Sequence, residues 1–322
     1  MPFLTKYFFA IAIFCVPFVC LSQNTDSTYK KVDDYVKALG KMDTLNMGTI
    51  SAKLTKPFSD NTDKVRAIFT WVATNLTLDV KAAKNGNREK QYYAEDVLKT
   101  RKTTAAGYAS LFQDMCSVAK IRCLTVDGYV KTKVEEINEK PDEFNHTWAV
   151  VQLGRSPDTW FYVDPAMASG YTDDKNTIFT PYFNDAYFFS DRKIFNLQHF
   201  PDNTAWLLGS GTKNVNDFFS LPLVRNEAFQ FGVSEMTPIT GYIKTKVGKP
   251  VNFSIKFNTD ITVEIVALKI GTDRKSKTKT VNYSIRNNFI VFENKFETAD
   301  DFPVAVLINN KEVLKYYIEV TE

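Results

Sequence analysis

The chain has 322 residues, 44% hydrophobic and 14% aromatic, with 40 basic and 37 acidic side chains for a net charge of +3. That apolar content excludes global disorder, and the length predicts two domains, since a single core rarely grows past roughly 250–300 residues. The charges are spread evenly, which excludes the basic stripe that nucleic-acid binding needs. The one basic cluster, "DRKSKTKT" at 273–280, reads as a solvated hairpin loop.

Residues 1–22 are expected to form a secretory signal peptide. Lys6 is the only charged side chain before Asp26, and 7–21 is an uncharged apolar run with Pro17 inside it. The run falls short of the ~20 residues a spanning helix needs, so no stable membrane span is expected. Cys20 and Ser22 are the small residues that signal cleavage before Gln23. Bulky Val19 argues against a lipid anchor on Cys20. The protein is therefore expected to be exported, to the periplasm, the cell surface or the medium.

Next comes a segment, 23–61, with one short helix stopped by Gly40. The stretch 59–76 predicts a stronger helix, because a polar capping cluster leads into Val65, Ile68, Phe69, Trp71 and Val72 at helical spacing. A polar connection and a short helix over 93–100 lead to "KTTAAGYASLF" (102–112), which opens an amphipathic helix over 105–119. Beyond it the period changes from helical to alternating, and 121–133, 146–153 and 159–166 read as three strands. One helix on an antiparallel sheet is an α+β arrangement. The ring-rich stretch 181–206 reads as core rather than as a binding platform. Residues 209–235 are expected to link this part to a C-terminal β-sandwich, 236–322, built from seven short alternating runs.

Cleavage before Gln23 would leave Cys116 and Cys123. Their spacing matches no zinc signature, and no metal site or cofactor is expected. A disulfide is open to them in an oxidising compartment, but two buried thiols is the favoured reading.

Three positions belong together: Ala105 at a helix start, His146 opening a strand and Asp164 ending the next. Neighbouring strands can set an imidazole beside the carboxylate that orients it. A helix start packed against them would present its first residue to the histidine. A Cys at that place would be a thiol nucleophile with its base and orienting acid; Ala105 carries a methyl group. Cys116 cannot replace it, because eleven residues along a helix is roughly 16 Å. Thr104 is adjacent, with no evident activation of its hydroxyl. His199 reads as a structural hydrogen-bonder in an aromatic cluster.

The ordered set "GYASLF", "HTW", "VDPA" and "HFPDNTAW" resembles the transglutaminase-like superfamily of papain-type Cys-His-Asp enzymes, and its kyphoscoliosis peptidase-like branch in particular. The resemblance covers 62–208 well and the rest loosely. It implies a transglutaminase/papain-like α+β core followed by a β domain, with His146 as the base, Asp164 as its orienting acid and Ala105 in place of the nucleophilic Cys. The expectation is a catalytically inactive member whose cleft binds a peptide, a protein or a cell-envelope component. The alternative is an active thiol peptidase or amide-group transferase, if Ala105 replaces a natural Cys. A third reading gives the binding to the β-sandwich and leaves the core as a spacer.

Overall fold

A computed structural model describes residues 28–84, 93–173, 176–258, 261–272 and 275–322. The expected signal peptide lies outside the described residues. The chain begins with three helices. α1 (Lys30–Leu39) buries Val32 and Val36 and ends at Gly40, whose φ of 64° suits a residue without Cβ. α2 (Met47–Thr55) is capped by Asn46 and anchored by Ile50 and Leu54, and sequence reasoning did not anticipate it. α3 (Asn61–Asn75) starts on Asp60, which accepts a hydrogen bond from the Thr62 N–H. Every residue from Val65 to Ala73 is buried. That includes Arg66, which is paired to Asp33 through two bonds of 2.9 and 2.6 Å and so ties α1 to α3.

A short strand, β1 (Thr77–Leu78), precedes α4 (Val80–Lys84) and α5 (Ala94–Thr100), then pairs in parallel with β2 (Lys102–Thr103). This pairing fixes the entry to α6 (Ala105–Val118). Tyr108, Leu111, Phe112 and Met115 bury the inner face of α6, and Ser51 of α2 donates to the Met115 carbonyl.

α6 packs on a sheet built from β3 (Arg122–Val130), β4 (His146–Gln152) and β5 (Trp160–Val163). The chain then forms α7 (Pro165–Ser169) and the hairpin of β6 (Gly170–Thr172) and β7 (Phe179–Pro181). It returns as β8 (Phe188–Ser190), α8 (Arg192–Gln198) and β9 (His199–Pro201). The five strands lie in the order β8-β5-β4-β3-β9, antiparallel throughout. The stretch 181–206 supplies core rings such as Tyr187, Phe195 and Phe200, as its composition predicts.

Residues 209–235, expected as a connection, carry α9 (Val215–Ser220), β10 (Leu223–Val224), α10 (Asn226–Gln230) and the start of β11 (Val233–Thr237). Phe218, Phe219, Leu223 and Phe229 are buried, so the segment is interior rather than linker. The remaining strands are β12 (Tyr242–Lys246), β13 (Pro250–Phe257), β14 (Val266–Ile270), β15 (Lys277–Thr280), β16 (Tyr283–Arg286), β17 (Phe289–Lys295), β18 (Asp300–Ile308) and β19 (Lys311–Thr321). One sheet runs β10-β19-β18-β14-β15 with β12 also on β19, and the other runs β11-β13-β17-β16. Rings meet between them: Phe253 stacks on Phe292 and edges onto Tyr316. The part of the basic cluster expected as loop that is described includes the fully exposed edge strand β15, paired to β14. The overall class is α+β with a β-rich C-terminal region.

Candidate functional site

β4 opens on His146, and its backbone is set before the strand begins. The Asn145 side chain takes the Val130 N–H and donates to the Val130 carbonyl, each at 2.7 Å, imitating one more ladder pair. On β3 the residue opposite His146 is Gly128. A Cβ there would fall 2.3 Å from the Phe200 carbonyl oxygen and 2.6 Å from the Trp148 ring, so only glycine allows β9 to pair at this point.

Asp164 follows β5 and caps α7, its Oδ1 accepting the Met167 N–H at 2.9 Å. Its Oδ2 lies 2.6 Å from His146 Nε2. The carboxyl is fully buried. Burial alone would raise its pKa, but the charge and hydrogen bonds of His146, joined by those of His199, hold it well below the usual carboxylate range. The ionised carboxylate accepts, so His146 donates from Nε2. Nδ1 remains without a protein partner among the described residues.

His199 was expected to be structural, and its surroundings are indeed rings, with Phe195 stacked 3.7 Å away and Trp148 at its edge. Its Nε2, however, donates to the same Asp164 Oδ2 at 3.0 Å. Both histidines of the chain therefore converge on one oxygen. The His199 Nδ1 lies 3.2 Å from the Phe195 carbonyl oxygen, so both ring nitrogens face acceptors, and burial pushes the imidazole below its ordinary value against the upward pull of Asp164 and that carbonyl. The sequence signal for this was available: with two histidines in 322 residues, both fell in quoted motifs.

Ala105 begins α6, and the Thr104 side chain makes no capping hydrogen bond. Thr104, Ala105 and His146 all line a cleft of about 800 Å³. Other parts of its lining come from regions that sequence reasoning left out of the site. These are Gln198, the segment Leu223–Glu227 and the buried Lys131. Lys131 Nζ donates to the Phe218 and Leu221 carbonyls at 2.5 and 2.9 Å, and burial lowers its pKa to about 7. Cys116 and Cys123 are free, buried and in contact with each other. Burial pushes the Cys116 thiol well up, the reverse of what a nucleophile needs.

His146, Asp164 and His199 offer three ligand atoms within 4.8 Å of one another, a donor set that could suit a divalent metal. Both Nε2 atoms already point at one carboxylate oxygen, and a metal would have to displace both bonds. The arrangement as it stands is a hydrogen-bonded relay that fixes the His146 ring and its tautomer.

Residues 48–165 match the sequence model of the transglutaminase-like superfamily. Kyphoscoliosis peptidase from Mus musculus is 35% identical over 189 residues, which is 58% of this chain and 28% of that protein. The Homo sapiens protein of the same name is 34% identical over the same extent. Residues 48–165 therefore carry a transglutaminase-like domain, and the chain is similar to the kyphoscoliosis peptidases over 189 residues. Hillarin from Drosophila melanogaster is 19% identical over 316 residues, covering 87% of this chain and 36% of that protein. The transglutaminase-like chain thus spans well under half the length of these relatives. Among the described residues, no helix is long and apolar enough to cross a membrane.

Proposed function

We propose that this is an exported, catalytically inactive transglutaminase-like protein whose cleft binds a peptide or protein segment. The observation that carries the reading is position 105. A methyl group stands at the start of α6 in a cleft whose wall also holds His146 with its ring fixed by Asp164. A thiol-based acyl transfer needs a thiolate at that place, and the two cysteines among the described residues are sealed in the core.

What the cleft retains is a binding surface. Its volume is in the range of sites that hold organic ligands, and Phe144 and Tyr171, both exposed, line it. The vertebrate relatives bear the name of a peptidase, whose ligand is by definition a peptide. Export rests on the apolar run and the small residues before Gln23.

The test is incubation of the protein with a mixed peptide pool made by digesting cell-envelope extract, followed by mass spectrometry. The reading predicts captured peptides of unchanged mass, lost when the cleft is filled by Ala105→Trp. Cleavage or amide-transfer products made by the unsubstituted protein would overturn it.

A further inference from the structure

Arg225 stands apart from the other arginines held within the fold. Arg66 has Asp33, Arg101 has the Lys41 carbonyl and Asp43, Arg122 has Gln152, and Arg192 has three carbonyl oxygens. The Arg225 guanidinium makes no hydrogen bond and no ion pair to any described residue. Its Nε is buried without an acceptor, although the residue lines the cleft. The Nε is closed to solvent, so it is the two terminal nitrogens, with no partner among the described residues, that are left to meet a carboxylate in the cleft that this residue lines.

The base of this side chain is held firmly. The Arg225 N–H donates to the Val313 carbonyl of β19 at 3.0 Å, and its own carbonyl accepts from Ala228. On one side Gln198 donates to the Val224 carbonyl at 3.2 Å. On the other, Asn226 Oδ1 accepts from Tyr187 OH at 3.0 Å. Gln198 precedes His199 in the chain, so the wall bearing Arg225 is bonded to the segment that orients Asp164.

We propose that Arg225 is the specificity-determining residue of the cleft and binds a carboxylate of the peptide ligand, a proposal that rests on the peptide-binding reading above. A singly charged carboxylate matches one guanidinium.

The experiment uses the full chain and three eight-residue peptide pools on beads, randomised at the other positions over residues other than Asp and Glu. One has a central Glu and an amidated C-terminus, one a central Gln and an amidated C-terminus, and one a central Gln with a free C-terminal carboxylate. The proposal predicts at least tenfold greater retention of the Glu pool or the free-carboxylate pool over the doubly neutral pool. Which of the two wins tells whether a side-chain or a terminal carboxylate is read. Arg225→Gln should abolish the preference and Arg225→Lys should keep part of it, both with unchanged thermal unfolding midpoints. Equal retention of all pools, removed by Ala105→Trp, would overturn the Arg225 assignment while leaving the peptide-binding reading standing. Retention of none would overturn both. A preference that survives Arg225→Gln would overturn the assignment alone.

Discussion

Asp164 is one carboxylate asked to serve two imidazoles and a helix cap, and its energetics follow from that. Its folded pKa is depressed, whereas the unfolded chain titrates near about 3.9. The unfolded state therefore binds more protons as pH falls through that value. This contribution is complete above about pH 4–5 and is lost as pH drops toward the folded pKa. Asp164→Asn keeps a possible acceptor for the Met167 N–H but removes the charge, and should cost about 3–5 kcal/mol, as expected for breaking a buried ionic partnership. Urea unfolding at pH 3 to 7 should show a shallower acid slope in the variant. Equal slopes would mean that the carboxylate carries no such linkage. The buried thiols make a second expectation at this scale: Cys116 and Cys123 should resist iodoacetamide in the folded protein and react once it is denatured. Rapid labelling of either in the native state would contradict their burial.

At the scale of elements, β3, β4 and β9 are locked together at Gly128. Gly128→Ala should cost about 1–3 kcal/mol, because the added methyl must displace either the Trp148 ring or the Phe200 backbone. A thermal unfolding midpoint equal to that of the unsubstituted protein would refute this.

This is also where legibility in the sequence divides. α3 announced itself through apolar spacing and a polar cap, α6 through its amphipathic spacing, and β3, β4 and β5 through alternation. The two-residue strands β1, β2 and β10 did not, because they are defined by a partner distant in sequence rather than by any local period. α2 has only Ile50 and Leu54 as deep anchors, too few to rise above a loop reading. His146 and Asp164 could be paired in advance because a strand end and the next strand's end are near neighbours. Arg225 could not be foreseen, since only the pairing of β10 with β19 turns that wall toward the cleft.

Across the whole molecule, the segment 209–235 joins the α+β part to the β-rich part. Lys131 of the first binds the Phe218 and Leu221 carbonyls, the Arg225 N–H binds Val313 of β19, and Gly241 N–H binds the Ser220 carbonyl. Both parts share one continuous apolar core. All four tryptophans, Trp71, Trp148, Trp160 and Trp206, lie in the α+β part, so their fluorescence reports it alone, whereas far-UV circular dichroism reports both parts. The two signals should fall together in urea, as one cooperative unit requires. Separate midpoints would show two units that unfold independently.

Ala105→Cys tests most directly the proposal that Ala105 stands where a thiol would be served by the His146–Asp164 pair. The introduced thiol would sit at the start of α6 and in the same cleft as His146, both of which stabilise a thiolate. Its rate of alkylation by iodoacetamide, followed against pH, should show a pKa well below the free value of about 8.5. Adding His146→Ala should return the pKa toward that value. A thiol that titrates normally at position 105, indifferent to His146, would contradict the account.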